Sequence, residues 1–512
     1  MRGGEPYSIK GAGMATKDIK AFAAHGGNSI RNWTTTSEHV DIQELLDEAH
    51  ANGVTVALGL PMQAERWGFD YNDNSAVTAQ LDLFRKDIVK FRDHPALLAW
   101  IIGNELNHDY TNPKVYDAVE SVSRMIHELD PNHPTTTTLS GFHADVLHEV
   151  ITRAPSLDFV SFQVYGALFE LPEQIAASGF TGPFMVTEWG AIGYWEMEQT
   201  SWDAPVEMNS SEKAAVFLRG YQEPLATLDG QLIGSYVFFW GQKQERTPTW
   251  FGLLTESGEE TEAVDVMHYN WNGSWPANRS PRINSLLLNG KSAQQSVSLS
   301  PGVTYLATLD LSDPEDDPLS YRWEVKRESN ATQVGGDFEN AISNLDGVLS
   351  GPAAATTTVV APGPGTYRLY AYAYDDHGHA AHANIPFIVE EGVIQTPEDL
   401  LAGEVMAVAY SGFREGQHPD RGDGAINPGT EEVLEDLRLL VTHNFHLIRL
   451  YDSGSNSRAT LELIREHNLP IKVLLGTWLE AEFSNHQGCP WLHEPIPDEK
   501  LAANGLINAA EI

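Results

Sequence analysis

The sequence predicts an α/β protein that begins with a (β/α)₈ TIM barrel, continues into an all-β sandwich and returns to a partial βα segment. Three observations predict it. Eight short apolar runs alternate with helix-period stretches over residues 1–275, the helical period vanishes over 282–391, and a βα rhythm resumes over 400–512.

The eight runs are YSIKGAG (7–13), NSIRNW (28–33), VTVALGL (54–60), LLAWIIGNE (97–105), PTTTTLSG (134–141), DFVSFQVYG (158–166), PFMVTEWG (183–190) and LIGSYVFFWG (232–241). Between them, stretches such as DIQELLDEAHANG, VTAQLDLFRKDIVKFRDH and SSEKAAVFLRGYQEPLATL repeat apolar residues at helical spacing. Eight strands and their helices in about 250 residues match the length of a closed parallel barrel. A doubly wound open sheet is the rival, lowered because no GxGxxG follows the first run. NGSWPANRSPR then reads as a linker. Beyond it YLATLDLSD, LSYRWEV, TTTVVAPG, TYRLYAYAYDD and ANIPFIVEE are alternating or β-branched runs cut by Pro, Gly and Asp turns, the pattern of a small antiparallel sandwich. From about 400, VMAVAYSGFR, FHLIRLYDSG and LPIKVLLGTWLEAE each begin a βα unit. Three parallel units cannot close an eight-stranded barrel, so this part is expected to be truncated or completed by another chain.

Composition narrows the function. Asp plus Glu outnumber Lys plus Arg by 71 to 32, a formal charge of -39. That field repels nucleic acid and anionic membrane surfaces, and it leaves a neutral substrate, a cationic partner or adaptation to salty water. No apolar run approaches the ~20 residues needed to span a bilayer. Cys489 is the only cysteine, so no intramolecular disulfide forms, and without Cys/His clusters zinc is not expected. The first residues lack the basic and apolar regions of a signal peptide.

In a parallel barrel the chemistry sits at the carboxyl ends of the strands. Those ends hold Arg31 and Trp33, then Asn104 and Glu105, then Tyr165, Glu188 and Trp240. Two carboxylates therefore face one mouth from strands three units apart. A strand that drives a carboxylate into the interior must neutralise it, pair it or use it.

AWIIGNE ending the fourth strand and MVTEWG ending the seventh resemble the acid/base and nucleophile motifs of clan A glycoside hydrolases, and Arg31 in SIRNW, Tyr165 in FQVYG and Trp240 in FFWG extend the resemblance across the barrel. It implies a retaining hydrolysis in which Glu188 is the nucleophile, kept anionic by Arg31 and Tyr165, and Glu105 is general acid and then base. Asn104 is implied to donate to the sugar 2-hydroxyl and Trp240 to lie under the sugar, with Trp33, Trp189 or Trp250 as further platforms. His143 and His108, in loops after the fifth and fourth strands, are candidate substrate contacts. The mechanism requires no metal or nucleotide cofactor.

The barrel is similar to those of family 2 and family 5, and its motif order also fits family 158 endo-β-1,3-glucanases. AYSGFREGQHPD, EEVLEDLRLL, IRLYDSG and IKVLLGTWL resemble the opening units of family 17, which acts on β-1,3-glucans, but its two carboxylates have no counterpart over 400–512. Together these resemblances imply a secreted, periplasmic or cell-surface endo-β-1,3-glucanase of laminarinase type. A β-mannosidase or β-galactosidase of the same mechanism and a catalytically inactive carbohydrate-binding protein are the alternatives. The sandwich resembles the polycystic-kidney-disease or cadherin-like immunoglobulin modules, in which Asp310, Asp313, Asp375 and Asp376 would be calcium ligands; plain acidic turns are the competing and preferred reading. Oligomeric state is not legible.

Overall fold

The structure, a computed structural model, describes residues 4–5, 7–14, 18–37, 40–228, 230–332, 335–351, 353–390, 406–417, 426–483 and 495–511. Cys489 and the interval between the sandwich and the last segment lie outside the described residues. No helix among the described residues is long and apolar enough to cross a membrane.

The parallel barrel runs through Ile9–Gly13, Ser29–Asn32, Thr55–Leu60, Leu97–Ile102, a fifth strand in two pieces (Thr135–Thr136 and Thr138–Ser140), Val160–Gln163, Phe184–Gly190 and Leu232–Phe238. The break at Thr137 closes it: the first piece pairs with the fourth strand and the second with the sixth. Each of the eight runs read from sequence is a strand. Three of the barrel helices start where an acid or amide caps them. Asp41 accepts from Gln43 N and Glu44 N ahead of Ile42–Ala51, Asp73 caps Asn74–Phe91, and Asn209 with Glu212 forms a capping box before Ser210–Gly220.

A floor of Ile9, Ala57, Ile101, Phe159, Met185 and Tyr236 fills the barrel interior. Nearby inward hydroxyls satisfy one another, Ser29 with Tyr236 at 2.9 Å and Thr136 with Ser161 at 2.9 Å. Gly59 is required by the close approach of the second strand, since a Cβ there would come within 2.6 Å of the Trp33 backbone.

Two four-stranded sheets form the sandwich. One holds Arg282–Leu288, Thr304–Ser312, Thr356–Val360 and Leu349–Ser350, the other Val297–Leu299, Ala380–Val389, Gly365–Tyr374 and Ser320–Arg327. Their inner faces share a core that includes Leu286, Leu309, Val359, Val325, Leu369 and Ile385. The pairing is antiparallel except that Val297–Leu299 runs parallel to its neighbour.

Barrel and sandwich make one compact unit, Met1–Gly392. A buried polar network joins them. Glu207 of the barrel takes Lys213 Nζ at 2.5 Å, Thr247 Oγ1 at 2.6 Å, Thr249 Oγ1 at 2.8 Å and, from the sandwich, Asn384 Nδ2 at 2.6 Å. Arg368 continues the chain, donating to Asn384 Oδ1 at 2.7 Å and to Pro205 O at 2.8 Å while pairing with Glu328 at 2.8 Å.

The second unit, Val393–Ile512, has a three-stranded parallel sheet of Met406–Ala409, Phe445–Leu450 and Lys472–Leu475. Its helices Thr430–Thr442 and Ser455–Glu466 pack Val433, Leu437 and Leu463 with Ile448 and Leu450 of the sheet. The three strands fall within the runs read from sequence.

Candidate active site

A cavity of about 590 Å³ opens at the carboxyl end of the barrel strands and is lined by Glu105, Glu188, Asn104, Trp33, Tyr165, His108 and His143, among others. Both predicted carboxylates and most of their predicted companions therefore meet in one place.

Glu188 reaches the cavity through an irregularity in the seventh strand. Met185 faces the barrel floor and Thr187 bonds Thr138 inside the barrel at 2.5 Å, so strict alternation would turn Glu188 outward. The register shifts between Val186 and Trp189, and Glu188 follows Thr187 to the inside. Its Oε1 then accepts from Arg31 Nη1, from Trp33 Nε1 at 2.8 Å and from Gln163 Nε2 at 2.8 Å, and its Oε2 accepts from the Tyr165 hydroxyl at 2.8 Å. Four donors, one of them a buried guanidinium, suit an anion.

Glu105 arrives differently. The fourth strand stops at Ile102, Gly103 takes φ +74°, and Glu105 itself sits at φ +50°, a left-handed conformation uncommon outside glycine. The run read as a strand to 105 thus ends in a turn that re-aims the carboxyl group. Burial, then the charge of Glu188, raises its pKa to about 8, with Arg31 opposing. The acid is therefore protonated at neutral pH, in contrast with the four-donor cradle around Glu188.

Asn104 accepts from Arg31 Nη2 at 2.5 Å and Gln163 Nε2 at 2.9 Å on the same oxygen. Its NH₂ group is left as the donor of an amide that lines the cavity.

Three tryptophans are not platforms. The same register shift that turns Glu188 inward sends Trp189 outward, where it is fully buried against Phe217 and Tyr221. Trp240 is fully buried between Phe22 and Trp271, behind the eighth strand. Trp250 is 1 % exposed and spends its indole N–H on Ile192 O at 2.9 Å. Phe238 and Phe239 line the cavity at the end of the eighth strand instead. Trp33 does line the cavity, as a donor to Glu188 with the Arg31 guanidinium 5.1 Å from its ring. Gln163, Trp195, Lys243, Glu245 and the Gly335–Gly336 pair also line it and were not read from sequence. Of the four aspartates considered for calcium, Asp313 and Asp375 gather with Asp317, their ligand atoms within 4.8 Å of one another. Asp310 and Asp376 are outside that group.

Residues 10–200 match the family model described as "Glycosyl hydrolases family 2, TIM barrel domain". The barrel is of the glycoside hydrolase type. The chain is 26% identical over 155 residues to a mannan endo-1,4-β-mannosidase of Arabidopsis thaliana, an alignment that takes in 30% of this chain and 36% of that relative. The chain is also similar to the β-glucuronidase of Bacteroides uniformis (TM-score 0.42, 12% identity, 79% of this chain and 47% of that one). A family 5 mannosidase from Rhizomucor miehei gives a TM-score of 0.39 at 14% identity over 53% of this chain and 94% of that one. The chain thus spans about a third of the curated relative it matches and about half of the β-glucuronidase.

Removing the Tyr165 hydroxyl tests the cradle. Tyr165→Phe deletes a bond to a charged oxygen worth about 1.5–3 kcal/mol, so kcat should fall by roughly 10- to 100-fold with the Tm little changed. Steady-state kinetics on an aryl β-glycoside together with thermal unfolding measure both quantities.

Proposed function

We propose that this protein is a retaining β-glycosidase acting on a neutral β-linked glycan, with a β-mannoside or β-galactoside as the favoured substrate. The observation that carries the reading is the pair Glu105 and Glu188 on one cavity, one holding a proton and the other surrounded by donors. Glu188 attacks the anomeric carbon; Oε2, with one donor against three on Oε1, is the oxygen with lone-pair density to spare. The C1–O bond breaks as Glu105 passes its proton to the departing oxygen, leaving a glycosyl ester on Glu188. Glu105, now ionised, takes a proton from water; the hydroxide attacks C1 and frees Glu188 with net retention. Asn104 donates to the 2-hydroxyl, and His108 and His143 contact other hydroxyls.

Charge supports a neutral sugar. Glu188, Glu196 and Glu245 line the cavity beside the Lys243 ammonium, which pairs with Glu245 at 2.6 Å. An anionic uronosyl group would meet net repulsion there. The family match and the mannanase relative favour a mannoside or galactoside. β-1,3-Glucan is the second reading, carried by the resemblance of residues 400–512 to family 17, and a polymeric substrate of either kind suits work at the cell surface or beyond it. A product profile on mannan, galactosides, laminarin and lichenan, with the first-released anomer followed by NMR, tests linkage and stereochemistry together. An α-anomer as first product, or no hydrolysis of any of them, overturns the proposal.

The protonation of Glu105 fixes the alkaline limb. With a pKa of about 8, the donor form is present below that pH and is lost as pH rises through it, so kcat/KM on an unactivated substrate should fall above about pH 8. In Glu105→Gln the residual activity should show no such limb; a pH profile of both proteins checks it.

A further inference from the structure

The sandwich reaches the catalytic cavity. Its segment Gly335–Glu339 is fastened to two barrel loops: Gly336 N donates to Glu245 Oε1 at 3.1 Å, Arg246 N donates to Glu339 Oε2 at 2.8 Å, and Asp337 pairs with Arg66 at 3.0 Å. Arg66 follows the third strand and Glu245 the eighth, so the segment ties together two sides of the mouth. The mechanism makes no use of Glu245, a buried carboxylate in the cavity wall; its bond to Gly336 gives it a positioning role.

Beside this segment stands Trp195, on the loop after the seventh strand and 51 % exposed. It packs edge-on against Tyr165, ring centres 5.6 Å apart, and Tyr165 bonds Glu188. Gly335 lies so close that a Cβ would meet the indole at 3.1 Å. Trp195 also borders a second hollow, lined by Tyr194, Trp202 and Arg246 of the barrel and by Glu328 and Asn330 of the sandwich. Trp195 lines both spaces.

We propose that barrel and sandwich together form an extended glycan cleft, in which a sugar chain bound across Glu105 and Glu188 continues over Trp195 into the junction hollow. An exposed indole between two concavities offers an apolar face to the C–H side of a pyranose, and the hollow beyond supplies a guanidinium, an amide and a carboxylate for its hydroxyls. Glycine at 335 keeps that face uncovered. The ligand is a neutral β-linked oligosaccharide, and the sandwich determines chain-length specificity. This deepens the glycosidase reading and rests on it.

The test compares kcat/KM on an aryl β-monoglycoside and on a hexasaccharide of whichever polymer the wild type degrades. In the full chain, Trp195→Ala should lower kcat/KM on the hexasaccharide at least about tenfold more than on the monoglycoside, mainly through KM, with Trp195→Phe restoring most of the loss. Gly335→Gln, whose side chain would cover the indole, should produce the same split and serves if Trp195→Ala does not fold. Equal losses on the two substrates overturn the cleft and leave the glycosidase reading standing. A wild type inert on both overturns the two together.

Discussion

Glu188→Ala is expected to lower kcat/KM on a dinitrophenyl β-glycoside by at least about 10⁴-fold, the scale of loss seen when a covalent nucleophile is removed. The size follows from geometry. Four donors, the Arg31 guanidinium among them, are aimed at one carboxylate, and without it no other described group lining the cavity is held in that position. Added formate or azide can enter the vacated space and attack C1 directly. With azide the product should be the α-glycosyl azide, since only one displacement then occurs. Glu105→Ala should respond in the opposite sense. A dinitrophenolate leaves without a proton, so formation of the glycosyl-enzyme survives and its hydrolysis becomes limiting. Azide should then intercept the intermediate and give the β-glycosyl azide. The two stereochemical outcomes separate the roles of two glutamates that a loss of rate alone would not distinguish. Near-wild-type turnover by Glu188→Ala would end the double-displacement mechanism through this carboxylate, whereas glycan binding without hydrolysis by wild type and variant alike would favour a carbohydrate-binding protein.

How much of this site was legible in sequence depends on what positions each residue. Arg31, Asn104, Glu105, Tyr165 and Glu188 lie at or just beyond strand ends of a fold whose rhythm is strong, and residue type at such an end is a local signal. Their convergence needed only the strand order. An aromatic beside a strand end can face either way: for Trp189 a one-residue register shift, invisible in the string MVTEWG, decides it. Trp240 is drawn into packing with Phe22 and Trp271, and Trp250 into its bond with Ile192 O, contacts distant in the chain. Trp195 and Glu245 sit on loops with no period to read. Trp195 lay within GYWEMEQTSWDAPVEMNS, a loop long enough to wall the cavity, and that length was the one signal available. Gly335 and Gly336 were beyond reach, because they join the site only through docking of the sandwich. That docking is carried by pairs such as Asn384 with Glu207, 177 positions apart in the chain. The pattern changes at 272–282, but Met1–Gly392 packs as one unit, in which polar groups of the junction find their partners across it.

Glu207→Leu is expected to destabilise the Met1–Gly392 unit by about 3–5 kcal/mol, the cost of breaking a buried ion pair by removing one partner. Lys213 sits 6 % exposed and would be left as a buried cation, while Thr247, Thr249 and Asn384 would each lose an acceptor. Lys213→Met should cost less, because Glu207 keeps three neutral donors when the ammonium is gone. This order, with the glutamate the more damaging loss, distinguishes the network from an isolated salt bridge, for which the two truncations would be nearly equivalent. Acid should act in the same direction. Burial raises the Glu207 carboxyl, but Lys213, His382 and the Thr247 hydroxyl outweigh it and hold its pKa at about 2, below the ordinary 4.5. A carboxylate depressed in the folded state contributes stability above its unfolded value, and that contribution is lost as pH falls from about 4.5 through about 2. Urea titrations of wild type and both variants at neutral pH and near pH 3 measure the order and the pH dependence together. Because Glu207 binds the eighth-strand loop through Thr247 and Thr249 and the sandwich through Asn384, the same lesion should loosen the hold of Glu245 on Gly336. Glu207→Leu should therefore lose activity on long chains at temperatures where its barrel remains folded, and a variant within about 1 kcal/mol of wild type with undiminished long-chain activity would mean that the junction is held without this network.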